Sequence, residues 1–305
     1  MKNTLTLLVL SIIITSCTYK INEKTAFTPT KYNPESIRKY CDSCSESKRN
    51  MFLMIVEKIT GTNDSKIIQS DSINIARNFF NINDSITLEY FEYSPNKYDK
   101  TIFFFIGNQS NQIAYLENLI ALSIKSNSKI YALNYRGYGQ STGIPSFKTQ
   151  FSDNQLFYNF IKPNIESKIP ISMGYSLGSV FATDLALNNE LSELILLAPV
   201  SNTEDMIEHY RIQSTSGLKK ILRPFIRLKV DDFLMNISNV SKINAYKNKL
   251  RIFHAIDDKS LPYEMGKKLF DISNSLDKKL YTLKSGGHSA PFKAYNWEEI
   301  IMTIK

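Results

Sequence analysis

From about residue 75 onward, short apolar runs alternate with amphipathic segments. The runs over 86–93, 101–106, 129–134, 169–175, 191–198, 250–255 and 279–283 predict strands. Several are apolar throughout, as strands covered on both faces are. Between them, the segments over 112–126, 149–161, 177–188, 262–273 and 291–303 repeat apolar residues at helical spacing and predict helices. Strand and helix in alternation predict a doubly wound, mostly parallel α/β sheet. Asn83-Asp84-Ser85 separates the run over 76–82 from the strand starting at Ile86 and reads as a hairpin turn, so the sheet is expected to open with antiparallel strands. The rhythm breaks between Pro199 and Tyr246, where helical stretches of mixed charge occur without a strand signal. That interval, about 200–246, is expected to be a small helical cap inserted over the strand ends.

The first residues follow a different pattern. Lys2 precedes Leu5, Leu7, Leu8, Val9, Leu10, Ile12, Ile13 and Ile14, and no further charge occurs until Lys20. A charged start and a short apolar stretch form an export signal over 1–16, too short to span the ~20 apolar residues of a bilayer core comfortably. The stretch ends in Ile14-Thr15-Ser16-Cys17, which resembles the lipobox of bacterial lipoproteins. That resemblance implies cleavage before Cys17, lipidation of Cys17, and a place in the bacterial cell envelope facing the periplasm or exterior. Residues 17–74 are expected to form a lipid-anchored tether, polar from Thr18 to about Ser36 with Pro29 and Pro34, followed by an accessory helix around 49–59. The α/β domain, with the cap inserted in it, would then occupy 75–305. Cys41 and Cys44 lie in a polar stretch and read as a structural bridge or idle thiols rather than a redox or zinc pair.

The chain has 305 residues, 43% of them hydrophobic, enough to bury a substantial core and to exclude wholesale disorder. Its formal net charge is +8. No RNP-like strand, zinc-finger spacing or long basic run accompanies that charge, so nucleic acid is not an expected partner. Leu218 to Leu228 interleaves basic and apolar residues, which suits an ordinary lid helix or a lid touching anionic lipid.

Chemistry concentrates where the predicted strand over 169–175 meets a predicted helix. Gly174-Tyr175-Ser176-Leu177-Gly178 has the form G-x-S-x-G, in which serine occupies a strained turn and the glycines let strand and helix approach. Serine needs a base to take its proton and a carboxylate to orient that base, in the chain order Ser, Asp or Glu, His. Of the three histidines, His209 falls in the cap and His254 within a strand, whereas His288 follows the last strand in Ser285-Gly286-Gly287-His288. Asp257 and Asp258 both follow the strand ending at Ala255, and spacing does not choose between them. For the oxyanion, backbone N–H groups of Leu177 and of Asn108, in the loop after the strand over 101–106, are the candidates.

Four segments carry a resemblance to a family: Tyr135-Arg136-Gly137-Tyr138-Gly139-Gln140-Ser141-Thr142-Gly143; the serine elbow; His254-Ala255-Ile256-Asp257-Asp258-Lys259-Ser260-Leu261-Pro262; and Gly287-His288. Over about residues 75–300 the chain resembles the abhydrolase-domain branch of the α/β-hydrolase superfamily, which includes acyl-protein depalmitoylases and related esterases. The resemblance implies the α/β-hydrolase fold. It puts the catalytic triad on Ser176, Asp258 and His288, and the oxyanion donors on Leu177 and Asn108. The family usually has His-Gly-Asn where this chain has Ile106-Gly107-Asn108, and His-Gly where it has His254-Ala255. Arg136 reads as a residue that shapes its turn rather than a catalytic one.

These readings lead to a membrane-tethered serine hydrolase that cleaves carboxylic ester or thioester bonds of a small-molecule, lipid or acyl-protein substrate, with no metal and no cofactor. The alternatives are a peptidase on the same fold, or a catalytically idle surface lipoprotein that binds a partner.

Overall fold

The computed structural model describes residues 18–32, 50, 53–58, 66–69, 71–166, 169–214 and 227–305. The expected export signal over 1–16, Cys17, Cys41, Cys44 and most of the basic apolar stretch over 218–228 lie outside the described residues. Among the described residues, no helix is long and apolar enough to cross a membrane.

In chain order the strands are β1 (Thr18–Ile21), β2 (Lys66–Gln69), β3 (Ile73–Asn83), β4 (Ile86–Pro95), β5 (Lys100–Phe105), β6 (Ser128–Leu133), β7 (Ile169–Tyr175), β8 (Glu193–Leu197), β9 (Arg227–Val230), β10 (Lys249–Ala255) and β11 (Lys278–Leu283). Nine of them form one sheet in the order β11-β10-β8-β7-β5-β6-β4-β3-β2. From β6 to β11 every neighbouring pair is parallel. The β2–β3, β3–β4 and β4–β6 pairs are antiparallel, and the expected hairpin joins β3 to β4. The strand order reverses direction at β5, with β6 on one side and β7 on the other. Loops leaving the carboxyl ends of β5 and β7 therefore diverge and leave a crevice between them, the usual ligand position in an open α/β sheet.

The main helices are α1 (Leu116–Ser126), α2 (Phe147–Ile161), α3 (Gly178–Asn188), α4 (Thr203–Ser214), α5 (Asn239–Ile243), α6 (Tyr263–Ile272) and α7 (Ala294–Ile304). α2, α3, α5 and α6 pack as one group, and α1 with α7 as another, so both faces of the sheet are covered. All five residues of β8 are buried as a result, which explains why its sequence is a run rather than an alternation. Local signals set the helix ends. Ser146 and Thr149 form a reciprocal capping box at the start of α2, and Asn127 closes α1 in the left-handed conformation.

Two expectations need correction. The interval over 200–246, expected to be helical and strand-free, contains β9. A four-residue strand whose partner is supplied from elsewhere in the chain leaves too short a run to show periodicity. That partner is β1, paired in parallel with Ile21 opposite Val230. The second correction follows from the first: the segment from Thr18 to Tyr32 is no free spacer. After β1 it forms a single helical turn, Glu23–Ala26, and then lies along the domain with Phe27 only 4% exposed. Phe27 packs on the rings of Phe147 and Phe181. The polar composition that suggested a tether is used in hydrogen bonds to the domain. The accessory helix is present over 53–58, with Val56 buried.

Candidate active site

The centre of the site is the turn between β7 and α3. Ser176 adopts φ 53°, a left-handed conformation that is costly for a residue with a side chain and is held only where the surroundings impose it. Both glycines of the elbow are required by packing. A Cβ on Gly174 would lie 2.4 Å from the Gly178 carbonyl oxygen, and one on Gly178 would lie 2.2 Å from that of Phe105. The turn is tied down by the Ser176 N–H, which donates to the Leu197 carbonyl at 2.9 Å.

His288 reaches this serine from the loop after β11, its Nε2 lying 2.9 Å from Ser176 Oγ. On the other side of the ring, Nδ1 lies 2.8 Å from Asp258 Oδ2. An ionised carboxylate only accepts, so Nδ1 carries the proton and Nε2 offers its lone pair to the serine hydroxyl. The structure thus brings together Ser176, Asp258 and His288 from three strand ends, and it chooses Asp258 over Asp257. The Asp258 side chain is fully covered while the His288 ring remains partly open. Burial alone would raise the Asp258 carboxyl. Hydrogen bonds from His254 and His288, the charge of His288 and the Leu261 N–H outweigh burial and hold it well below the usual carboxylate range. Its Oδ1 accepts from the Ser260 and Leu261 N–H groups at 2.8 Å and 3.0 Å.

Asp257 is more than the solvated charge that a neighbouring acid suggests. Its two oxygens accept from the N–H groups of Gly286 and Gly287 at 3.1 Å and 2.9 Å. Adjacent aspartates therefore divide the work: Asp258 orients the imidazole, and Asp257 fixes the glycine loop that delivers it. That loop needs glycine, with φ 116° at Gly286 and 60° at Gly287. Tyr175 adds a third support, its hydroxyl donating to the His288 carbonyl at 3.2 Å and its ring lying 5.0 Å from the imidazole. Burial pushes the Tyr175 phenol well above its ordinary value, so it stays a neutral donor. Neither contact was legible in the sequence, because each joins loops far apart in the chain.

His254 is fully buried and its Nε2 donates to the Leu261 carbonyl at 2.9 Å. Gly266 leaves room for the ring: a Cβ there would sit 2.5 Å from His254 Nδ1. His209 bonds to the Lys259 carbonyl at 2.9 Å and ties α4 to the acid loop. His254 Nε2 also lies 3.5 Å from Asp258 Oδ2. Arg136 makes two 2.7 Å bonds to the buried Asp153 and stays out of the site.

The loop after β5 lies beside the nucleophile, since a Cβ on Gly107 would be 3.3 Å from Ser176 Cβ. Ile106 is fully buried and its carbonyl accepts from Tyr135 Oη at 2.8 Å. Among the described residues, the N–H groups of Leu177 and Asn108 have no acceptor. An N–H on the residue after the serine and one on the neighbouring loop are the kind of donors a tetrahedral oxyanion requires. Among the described residues no group of His, Cys, Asp or Glu side chains is gathered to hold a metal ion.

The family described as "Serine aminopeptidase, S33" matches residues 97–250. An alpha/beta hydrolase domain-containing protein 17B from Xenopus tropicalis is 27% identical over 258 residues, covering 84% of this chain and 80% of that protein. A lysophosphatidylserine lipase from Danio rerio is 30% identical over 152 residues, or 47% of this chain and 39% of that protein. Among solved structures, an esterase from Pyrococcus furiosus superposes with a TM-score of 0.61 at 18% identity, covering 76% of this chain and 90% of that one. Alpha/beta hydrolase domain-containing protein 10 from mouse does so at 0.59 and 16%, covering 75% and 96%. At these identities the structural likenesses establish the fold.

Proposed function

The chain belongs to the serine aminopeptidase S33 family of α/β hydrolases, and from that premise we propose that it cleaves carboxylic esters or thioesters of acyl groups through an acyl-enzyme on Ser176. The observation that carries the proposal is the unbroken relay from Asp258 through His288 to Ser176 Oγ, with both links under 3 Å, beside two unpaired N–H donors. Ser176 Oγ attacks the acyl carbonyl carbon as its proton passes to His288 Nε2, and Asp258 stabilises the imidazolium that forms. The oxyanion faces the N–H groups of Leu177 and Asn108. Collapse expels the alcohol or thiol with the proton from His288. Water, deprotonated by the same imidazole, then attacks the acyl-enzyme, releasing the acid and regenerating Ser176.

The name of the matched family favours a second reading, hydrolysis of an N-terminal amide. Parallel assays with p-nitrophenyl acyl esters, acyl thioesters and aminoacyl p-nitroanilides separate the two. Ester or thioester turnover exceeding anilide turnover, and lost in Ser176→Ala, is the expected result. Anilide turnover alone would replace it with the aminopeptidase reading.

The membrane is the other part of the proposal. The charged start, short apolar stretch and Cys17 support export and lipidation in a bacterial envelope. Because β1 starts at Thr18 and pairs with β9, an acylated Cys17 would bring the cap close to lipid instead of holding it off on a spacer. An acyl ester embedded in, or attached at, that surface is the substrate this places within reach. Mass spectrometry of the N-terminal peptide tests the anchor: a diacylated or triacylated Cys17 is expected, and an unmodified mature N-terminus would overturn it.

A further inference from the structure

We infer that the segment from Ala26 to Tyr32 is a positioning strap for the oxyanion loop, acting through the side chain of Asn108; this rests on the serine-hydrolase reading of Ser176. Asn108 Oδ1 accepts from the Thr28 N–H at 2.8 Å, from Tyr138 Oη at 2.6 Å and from the Gln109 N–H at 3.0 Å. Asn108 Nδ2 donates to the Ala26 carbonyl at 2.8 Å. Two backbone donors on one atom and a carbonyl on the other leave only one orientation for the amide. The carboxamide is thus committed to the strap and to Tyr138, which leaves the backbone N–H of the same residue as its contribution to the oxyanion.

Those contacts hold a stretch of the loop that is not relaxed. Gln109 adopts φ 57°, a conformation disfavoured for a residue with a side chain. The strap is itself well anchored. Phe27 is buried among Phe147 and Phe181, the Thr30 carbonyl accepts from the Gly139 N–H at 2.8 Å, and Tyr32 Oη donates to Glu89 at 2.7 Å. An oxyanion donor is effective only when it points at the developing charge before the reaction starts. A chain segment some eighty positions from Asn108 in sequence supplies that orientation here.

The test uses full-length protein with Phe27→Asp, which ejects the strap, Phe27→Leu, which retains its packing, and Tyr138→Phe, which removes one donor to Asn108. The readouts are kcat and KM on a p-nitrophenyl ester, affinity for an aryl trifluoromethyl ketone, which forms an oxyanion on the serine, and the melting transition. Phe27→Asp should lower kcat about 10–100-fold, short of the ~10²–10³ for loss of a whole donor. KM should change less than about threefold, ketone affinity should fall in step with kcat, and Phe27→Leu should retain both. Tyr138→Phe should show a smaller loss in the same two quantities. A folded Phe27→Asp protein with kcat within about twofold of the parent, or one that loses kcat while binding the ketone normally, overturns the inference. If Phe27→Asp does not fold, Tyr138→Phe decides by the same criteria. A parent protein that neither turns over the ester nor binds the ketone overturns the hydrolase reading itself, and this inference with it.

Discussion

The Ser176–His288–Asp258 relay and the amino-terminal strap, which reaches the loop after β5 through Asn108, are built in opposite ways. Ser176, Asp258 and His288 each lie a few residues beyond the end of a parallel strand, so the sheet brings all three to the carboxyl ends of its strands. The strap is held by scattered side-chain and backbone contacts to residues such as Asn108, Gly139 and Glu89. Chemistry tied to strand ends follows from local pattern, whereas support drawn from distant loops depends on contacts that no window of sequence contains.

The largest expected effect breaks the triad itself. Asp258→Asn should lower kcat by about 10⁴-fold with little change in KM, because an amide no longer fixes the His288 tautomer; steady-state kinetics on an ester measures it. The same residue predicts an acid signature. Its carboxyl is held below its ordinary value, so its contribution to stability is present above the unfolded carboxylate value of about 3.9 and is lost as pH falls through the lower folded value. Melting temperature followed from pH 7 downward should therefore drop less steeply at the acid end in Asp258→Asn than in the parent.

Next comes the elbow. Gly178→Ala forces a Cβ against the Phe105 carbonyl and should cost at least the ~1–3 kcal/mol typical of overpacking, read as a lower melting temperature. Asp257→Ala frees the glycine loop that carries His288 and should reduce kcat about tenfold while ester KM is preserved, since hydrogen bonds to a charged acceptor contribute ~1.5–3 kcal/mol and this one is partly exposed. An Asp257→Ala loss as large as that of Asp258→Asn would erase the distinction between the two acids. The smallest effect belongs to His209→Ala, whose single bond to the Lys259 carbonyl is exposed; kcat within about twofold and a stability change below ~1.5 kcal/mol are expected.

Much of the fold was legible in advance because buried parallel strands write themselves as apolar runs. The run over 169–175 and β7 coincide, and the other six strand readings differ from the structure by a few residues at most. Ser176 and His288 were legible for a related reason, since glycine must appear where the backbone turns sharply after a strand. Asp258 could be separated from Asp257 by likeness to a family but not by spacing, because the two differ only in which way each side chain leaves the loop. β9 escaped notice because a four-residue strand has no period of its own and its partner, β1, lies in a segment whose polarity suggested a spacer. Polarity there reflects hydrogen bonding to the domain, with Phe27 the one large apolar anchor among the residues from Ala26 to Tyr32 that lies fully buried.

The central claim, that Ser176 is a nucleophile activated by His288, is tested most directly by intact-mass and peptide mass spectrometry after treatment with a fluorophosphonate. A single covalent adduct on Ser176, absent from Ser176→Ala and strongly slowed in His288→Ala, is the predicted result. A protein that remains unmodified, or one labelled equally well without His288, would contradict it.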